Sequence, residues 1–136
     1  MSVEQTRAVM ERYLASEHTD LDALAEDVRF TVMATGQEVR GRDAVTAMLG
    51  HFYRGAFDAV AEPRSLVIGD GTAIGEWDFV GTHIGEFAGV AATGREVRVP
   101  LAVAYDVVDG RISRGRVYFE TPAFLAQVNA PPAKSQ

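Results

Sequence analysis

Cysteine is absent from the 136-residue chain. Disulfide staples, zinc–thiolate centres and a thiolate nucleophile are therefore excluded, and a reducing, cytoplasmic home is the simplest expectation. Basic charge is also scarce. Thirteen Lys and Arg against 19 Asp and Glu leave a net charge of −6, the wrong sign for a protein that lives on phosphate backbones, so no nucleic-acid partner is expected. No stretch approaches the ~20 apolar residues of a membrane span, and Met1-Ser-Val-Glu-Gln-Thr-Arg7 lacks the basic and apolar regions of a signal peptide. No membrane partner is expected either. What is present, 47% hydrophobic and 24% charged residues, suits one globular domain with one core. We expect that domain over residues 1–129, with the Pro- and Ala-rich residues 130–136 as a flexible tail.

In the opening segment Val3, Val9, Met10, Tyr13 and Leu14 recur at helical spacing, which predicts an amphipathic helix with Tyr13 on its buried stripe. Thr19-Asp20 offers an N-cap for a second short helix over 21–25, ahead of a β-rich run at 28–33. Gly36 permits a turn, and a third helix follows Gly41 with Ala44, Val45, Met48, Leu49 and Phe52 on one face. Residues 57–120 then read as sheet, in strands over 59–68, 72–87, 95–107 and 111–120. A last helical turn begins near Pro122. Three helices before a four-stranded antiparallel meander make an α+β fold, a curved sheet closed by helices into a cone whose open mouth would admit a small apolar molecule.

The run Trp77-Asp-Phe-Val-Gly81-Thr-His83-Ile-Gly85-Glu-Phe87 through Thr93-Gly94-Arg95 resembles the SnoaL-like polyketide cyclases of the NTF2-like superfamily. Tyr105-Asp-Val-Val-Asp109-Gly110 and Arg116-Val-Tyr118-Phe-Glu120 continue the likeness, and residues 92–120 are also similar to the limonene-epoxide hydrolases. The first resemblance implies an NTF2-like cone and an aldol-type ring closure without metal or cofactor. In that family an acid/base aspartate follows the arginine of the last strand, a position held here by Val117, and a pocket histidine falls on Val103. The hydrolase Arg, Asp and Asp fall on Ile84, Glu86 and Val117, of which only Glu86 keeps a carboxyl group. Likeness to ketosteroid isomerase matches Tyr13 to a tyrosine that stabilises an oxyanion. Three functions follow: a polyketide-type cyclase acting on a small, apolar, carbonyl-rich substrate; a catalytically silent ligand-binding or interaction protein; or an epoxide-opening enzyme.

The residues carry their own reading. Asp109-Gly110 suits a three-residue hairpin loop with a bulge, which would place Leu101, Val103, Tyr105 and Val107 on one face with Ser113, Gly115, Val117 and Phe119. That face is apolar and should line the cavity. In the strand over 72–87 one face carries Trp77, Phe79, Gly81, His83 and Phe87, and the other Glu76, Asp78, Val80, Thr82, Ile84 and Glu86. Hydrophobicity turns the tryptophan face inward, whereas the hydrolase likeness turns Glu86 inward. A bulge at Gly81 or Gly85 would reconcile the two. Glu86 then reads either as a solvated strand-end carboxylate or as a general acid/base, His83 as structural or as a base, and Tyr13 as core or as an enolate-stabilising donor. These three are the candidate catalytic residues, with Trp77, Asp78, Tyr105, Val103, Val117, Phe119 and Phe52 as candidate substrate contacts. His18 and His51 fall in a loop and on a helix, and no spacing suggests a metal triad. Because Trp77, Phe79 and the hairpin's apolar set should not all fit inside one small cone, a homodimer through the sheet is expected.

Overall fold

The computed structural model describes residues 2–129, so the tail expected over 130–136 lies outside the described residues. Helix α1 (Val3–Ala15) begins with a reciprocal cap, in which the Ser2 hydroxyl accepts from the Gln5 N–H and the Gln5 side chain accepts from the Ser2 N–H. It buries Thr6, Val9, Met10 and Tyr13, the stripe expected from spacing. The short helix expected over 21–25 shrinks to one 3₁₀ turn (Leu21–Ala23), because the chain enters β1 (Leu24–Val32) as soon as Leu24, Val28 and Phe30 can bury themselves. A few residues without further turns cannot sustain a helix against that gain. β2 (Gln37–Arg40) was not expected: its side chains are mostly exposed, so no alternation of apolar and polar residues announces it. α2 (Arg42–His51) passes into a π-helical turn (Phe52–Ala56).

β3 (Phe57–Ile68), β4 (Thr72–His83), β5 (Glu96–Val108) and β6 (Arg111–Phe119) form the expected antiparallel meander, and α3 (Thr121–Asn129) follows. The sheet is larger than expected and mixed. Its order is β2-β1-β6-β5-β4-β3, with β1 parallel to β6. The helices do not all precede the sheet, since α3 closes it from the C-terminal side. The result is an α+β cone of the kind expected, a curved, unclosed sheet around its helices. Among the described residues no helix is long and apolar enough to cross a membrane.

The β5–β6 register sets Leu101 opposite Phe119, Val103 opposite Val117 and Tyr105 opposite Gly115, as expected. The turn differs: Val108 pairs with Arg111, leaving only Asp109 (φ 53°) and Gly110 (φ 78°) as loop. Two consecutive left-handed residues define a type I′ turn, which matches strand twist and which Asp-Gly tolerates. The bulge moves into β6 at Ser113, so that Ile112, fully buried, faces Val107. Along β4 the tryptophan face points inward throughout, with Trp77, Phe79 and His83 all buried. No bulge interrupts β4. Gly81 instead permits close packing, since a Cβ there would strike the Asp58 carbonyl and Ala59. The cone thus holds both apolar sets that were expected to compete. The ground given for the dimer is corrected: what the outer face exposes is Val60, Val67, Ile74 and Tyr118 among charged residues.

Candidate active site

The interior divides along β4. Toward His83 it is filled by Phe52, Phe57, Phe79, Phe87, Phe119 and Phe124, with Phe52 stacked on Phe79 at 4.4 Å and Phe119 edge-on to Phe79 at 5.3 Å. Toward the other end a cavity of about 700 Å³ opens between α1, α2 and β3, walled by Leu49, Ala61, Trp77, Leu101 and Val103. Trp77 lies over Gly75, where a Cβ would strike the indole, and so becomes the cavity wall.

Polar groups gather at one place in that wall. Beyond α1, Glu17 (φ 56°) and His18 (φ 67°) both adopt the left-handed conformation, uncommon for one non-glycine residue and more so for two in succession. The turn is held by the Glu17 N–H on the Leu14 carbonyl (3.1 Å) and the Ser16 hydroxyl, which accepts from the Thr19 and Asp20 N–H groups. It turns the His18 ring into the cavity, where it stacks on Tyr53 (5.4 Å, 20°) and meets the Tyr13 edge (5.4 Å). Tyr13 in turn lies edge-on to Tyr105 at 6.5 Å. One imidazole and three phenols thus run in a row.

Burial sets their protonation. It lowers His18 below its usual 6.5, partly offset by the neighbouring Glu17 carboxylate, so the ring is neutral at neutral pH. Burial pushes Tyr53 up to about 12 and raises Tyr13 and Tyr105 as well, so all three phenols keep their protons. The Tyr13 hydroxyl and the Thr46 hydroxyl are buried without a partner among the described residues. Buried donors nearly always find an acceptor, and for Thr46, which lines the cavity, a ligand oxygen would supply one. The arrangement therefore offers a neutral base beside a dry set of hydrogen-bond donors.

Of the candidates from sequence, Trp77, Val103 and Tyr105 line the cavity and Tyr13 borders it through His18 and Tyr105. Val117, Phe119 and Phe52 pack in the core beside it. The other candidates lie elsewhere. Glu86 is exposed beyond the end of β4, because the Ile84 and Gly85 N–H groups both turn to the Ala56 carbonyl (3.0 and 2.9 Å) and draw the chain off the sheet at His83. His83 is buried at the phenylalanine end, its Nδ1 accepting the Thr93 N–H at 3.3 Å and its ring against Phe57 and Phe124. With the Thr93 hydroxyl also 2.9 Å from Nδ1, His83 is a tether for the 84–95 connection. Asp78 lies on the outer face between Arg64 Nε (2.8 Å) and Arg98 Nη1 (2.7 Å), and these bonds, the Arg64 one foremost, hold its carboxyl below the usual range. His18 was passed over as a loop residue. No periodicity marked it, since α1 ends at Ala15 and two left-handed residues, Glu17 and His18, set the ring direction.

A family model described as SnoaL-like polyketide cyclase matches residues 7–128, and the chain belongs to that family. Solved structures of low identity share the fold. A candidate SnoaL-like polyketide cyclase from Jannaschia sp. CCS1 is 18% identical, with a TM-score of 0.78 over 95% of this chain and 94% of that one. A candidate polyketide cyclase from Silicibacter sp. TM1040 is 22% identical with a TM-score of 0.78, over 95% of this chain and 96% of that one. A candidate ketosteroid isomerase from Kribbella flavida is 23% identical with a TM-score of 0.63, over 85% and 78% respectively. No curated protein matches the chain.

Proposed function

We propose that the chain is a cyclase that closes a ring in a small, carbonyl-rich, largely apolar molecule by an aldol-type reaction, without metal or cofactor. The observation that carries this is the neutral His18 imidazole held against the Tyr13 and Tyr53 rings at the cavity wall, with Tyr105 next in the row. His18 removes a proton alpha to a carbonyl, and the developing enolate oxygen accepts a hydrogen bond from Tyr105, which lines the cavity with Tyr13 packed behind it. The enolate carbon then attacks a second carbonyl, forming the carbon–carbon bond, and the resulting alkoxide recovers the proton from the imidazolium. Glu17 favours the transient imidazolium by its charge. Membership of a family described as polyketide cyclases supports this reading. Epoxide opening loses its support, since Ile84 and Glu86 are exposed and Val117 brings no acid.

Alpha-proton exchange of β-tetralone in heavy water, followed by NMR, tests the proposal. The protein is expected to exchange the ketone faster than buffer does. Binding of the ketone with exchange at the buffer rate would overturn catalysis and leave a silent binder, the reading that Val103 and Val117 favour by filling the family's acid/base positions with apolar side chains.

We further propose that two copies pair through the outer sheet face. Val60, Ile74 and Tyr118 there are interspersed with the Glu62, Asp78, Arg64 and Arg98 charges, a pattern that a two-fold axis can make self-complementary. Light scattering at tens of micromolar is expected to give twice the 14.7 kDa chain mass, and a monomer mass would overturn the pairing.

A further inference from the structure

Two irregularities bracket the first half of β3, and each brings an arginine to the cavity. Arg54 lies in the π-helical turn Phe52–Ala56, a distortion that recurs at functional sites. Its Nη1 donates to the Ala59 carbonyl (2.9 Å) and the Tyr53 carbonyl (3.3 Å) and meets the exposed Asp58 carboxylate at 3.5 Å. All three contacts use one nitrogen. Nε and Nη2, the edge with which a guanidinium grips a carboxylate through two parallel bonds, have no protein partner among the described residues. Arg64 is the extra residue of a β-bulge, where Pro63 faces Trp77 and Ser65 faces Glu76. Its Nε is taken by Asp78, and its two terminal nitrogens have no protein partner among the described residues.

Arg54 and Arg64 therefore line the cavity beside Glu17, each held on one side by an aspartate, Asp58 at 3.5 Å and Asp78 at 2.8 Å, with the remaining nitrogens unpartnered among the described residues. This set of free N–H donors gives an uncharged polyketone single neutral-acceptor hydrogen bonds only. An acid gains from it twice, by attraction from both arginines and by a paired bond to the pre-positioned Arg54. Arg54 and the His18 turn belong to separate segments of the wall, so a molecule can be anchored by one and presented to the other.

We infer that the ligand of this cavity is an organic acid, an apolar carbonyl compound whose carboxylate docks on Arg54 with Arg64 adding to the attraction. The inference rests on the proposed reading that this cavity takes the substrate. It names the chemical class of that substrate.

Trp77 is the sole tryptophan and lines the cavity, so energy transfer from it reports occupancy. Anthracene carboxylate and anthracene carboxamide are titrated as probes of nearly equal shape. The carboxylate is expected to bind about ten-fold more tightly or better, with the advantage shrinking as salt is raised and falling most in Arg54→Gln, where the carboxylate loses far more affinity than the carboxamide. Arg64→Gln should reduce the advantage in part. Equal affinity for the two probes, a preference that survives both substitutions, or failure of either probe to bind would overturn the inference. Should Arg54→Gln fail to fold, the ratio in the native protein and its salt dependence still decide. Equal binding with β-tetralone exchange intact removes the acid site alone, whereas acid preference without exchange removes catalysis alone.

Discussion

Replacing His18 with glutamine is expected to lower turnover about 1,000-fold, within the range that loss of a positioned general base produces. Glutamine retains hydrogen-bonding capacity but cannot accept the proton. Glu86→Gln should leave turnover unchanged, because the Glu86 side chain is exposed beyond β4 and lies outside the cavity. The pH profile distinguishes base catalysis from simple loss of packing. Burial lowers His18 below 6.5, so native activity should persist as pH falls through 6.5 and decline only at the lowered value. Glu17 raises that value, so Glu17→Gln should move the acid limb to still lower pH. A stability effect accompanies it. A histidine depressed in the folded state contributes stability that is present above 6.5 and is lost as pH falls through the folded value, and His18→Gln should flatten that part of the denaturation-versus-pH curve. Unchanged turnover in His18→Gln, or a Glu86→Gln variant that is inactive, would place the chemistry elsewhere.

Phe79→Ala is expected to destabilise the fold by about 3–5 kcal/mol, as truncating a buried phenylalanine does when the surroundings cannot close the gap. Phe79 is fully buried and touches Phe52, Tyr53, Phe57 and Phe119 with ring centroids 4.4 to 5.3 Å away. These neighbours come from three different elements, the π-helical turn, β3 and β6, so no single shift fills the void. Against a typical total of about 5–15 kcal/mol, the loss brings a domain of this size near its threshold. The urea midpoint, followed by circular dichroism, measures it. Phe119→Ala and Phe79→Ala should combine to less than their sum, since each removes a contact of the other. A loss below about 1 kcal/mol for Phe79→Ala would mean that the aromatic end repacks freely.

The hairpin shows how far sequence reasoning reaches. The alternation in Leu101, Val103 and Tyr105 could face only one way, and their partners Phe119, Val117 and Gly115 followed from parity alone. The offset at Ser113 was not legible because it depends on which of two loop lengths the Asp-Gly pair adopts. The same alternation pointed Trp77 inward, and where the hydrolase likeness disagreed the burial of an indole and a phenyl ring prevailed. β2 escaped notice because an edge strand that half-buries only Val39 leaves no pattern. His18 escaped for a related reason. Its ring enters the cavity through two left-handed residues without a glycine, a conformation maintained by Ser16 and Tyr13 contacts that local propensity does not encode. Glu86 misled in the opposite way, because strand alternation was carried past His83, where the backbone had already left the sheet.

The bulge at Arg64 also governs how copies of this chain meet in concentrated solution. β3 is the outermost strand on its side, 12 residues long, and strands of such length with Val60 and Val67 exposed invite edge-to-edge growth into aggregates. Midway along it Pro63 has no N–H to offer, and the residue after it breaks the spacing of the backbone groups. An incoming strand would find no continuous ladder to extend. The distortion that brings a guanidinium to the cavity thereby also guards the sheet against polymerisation.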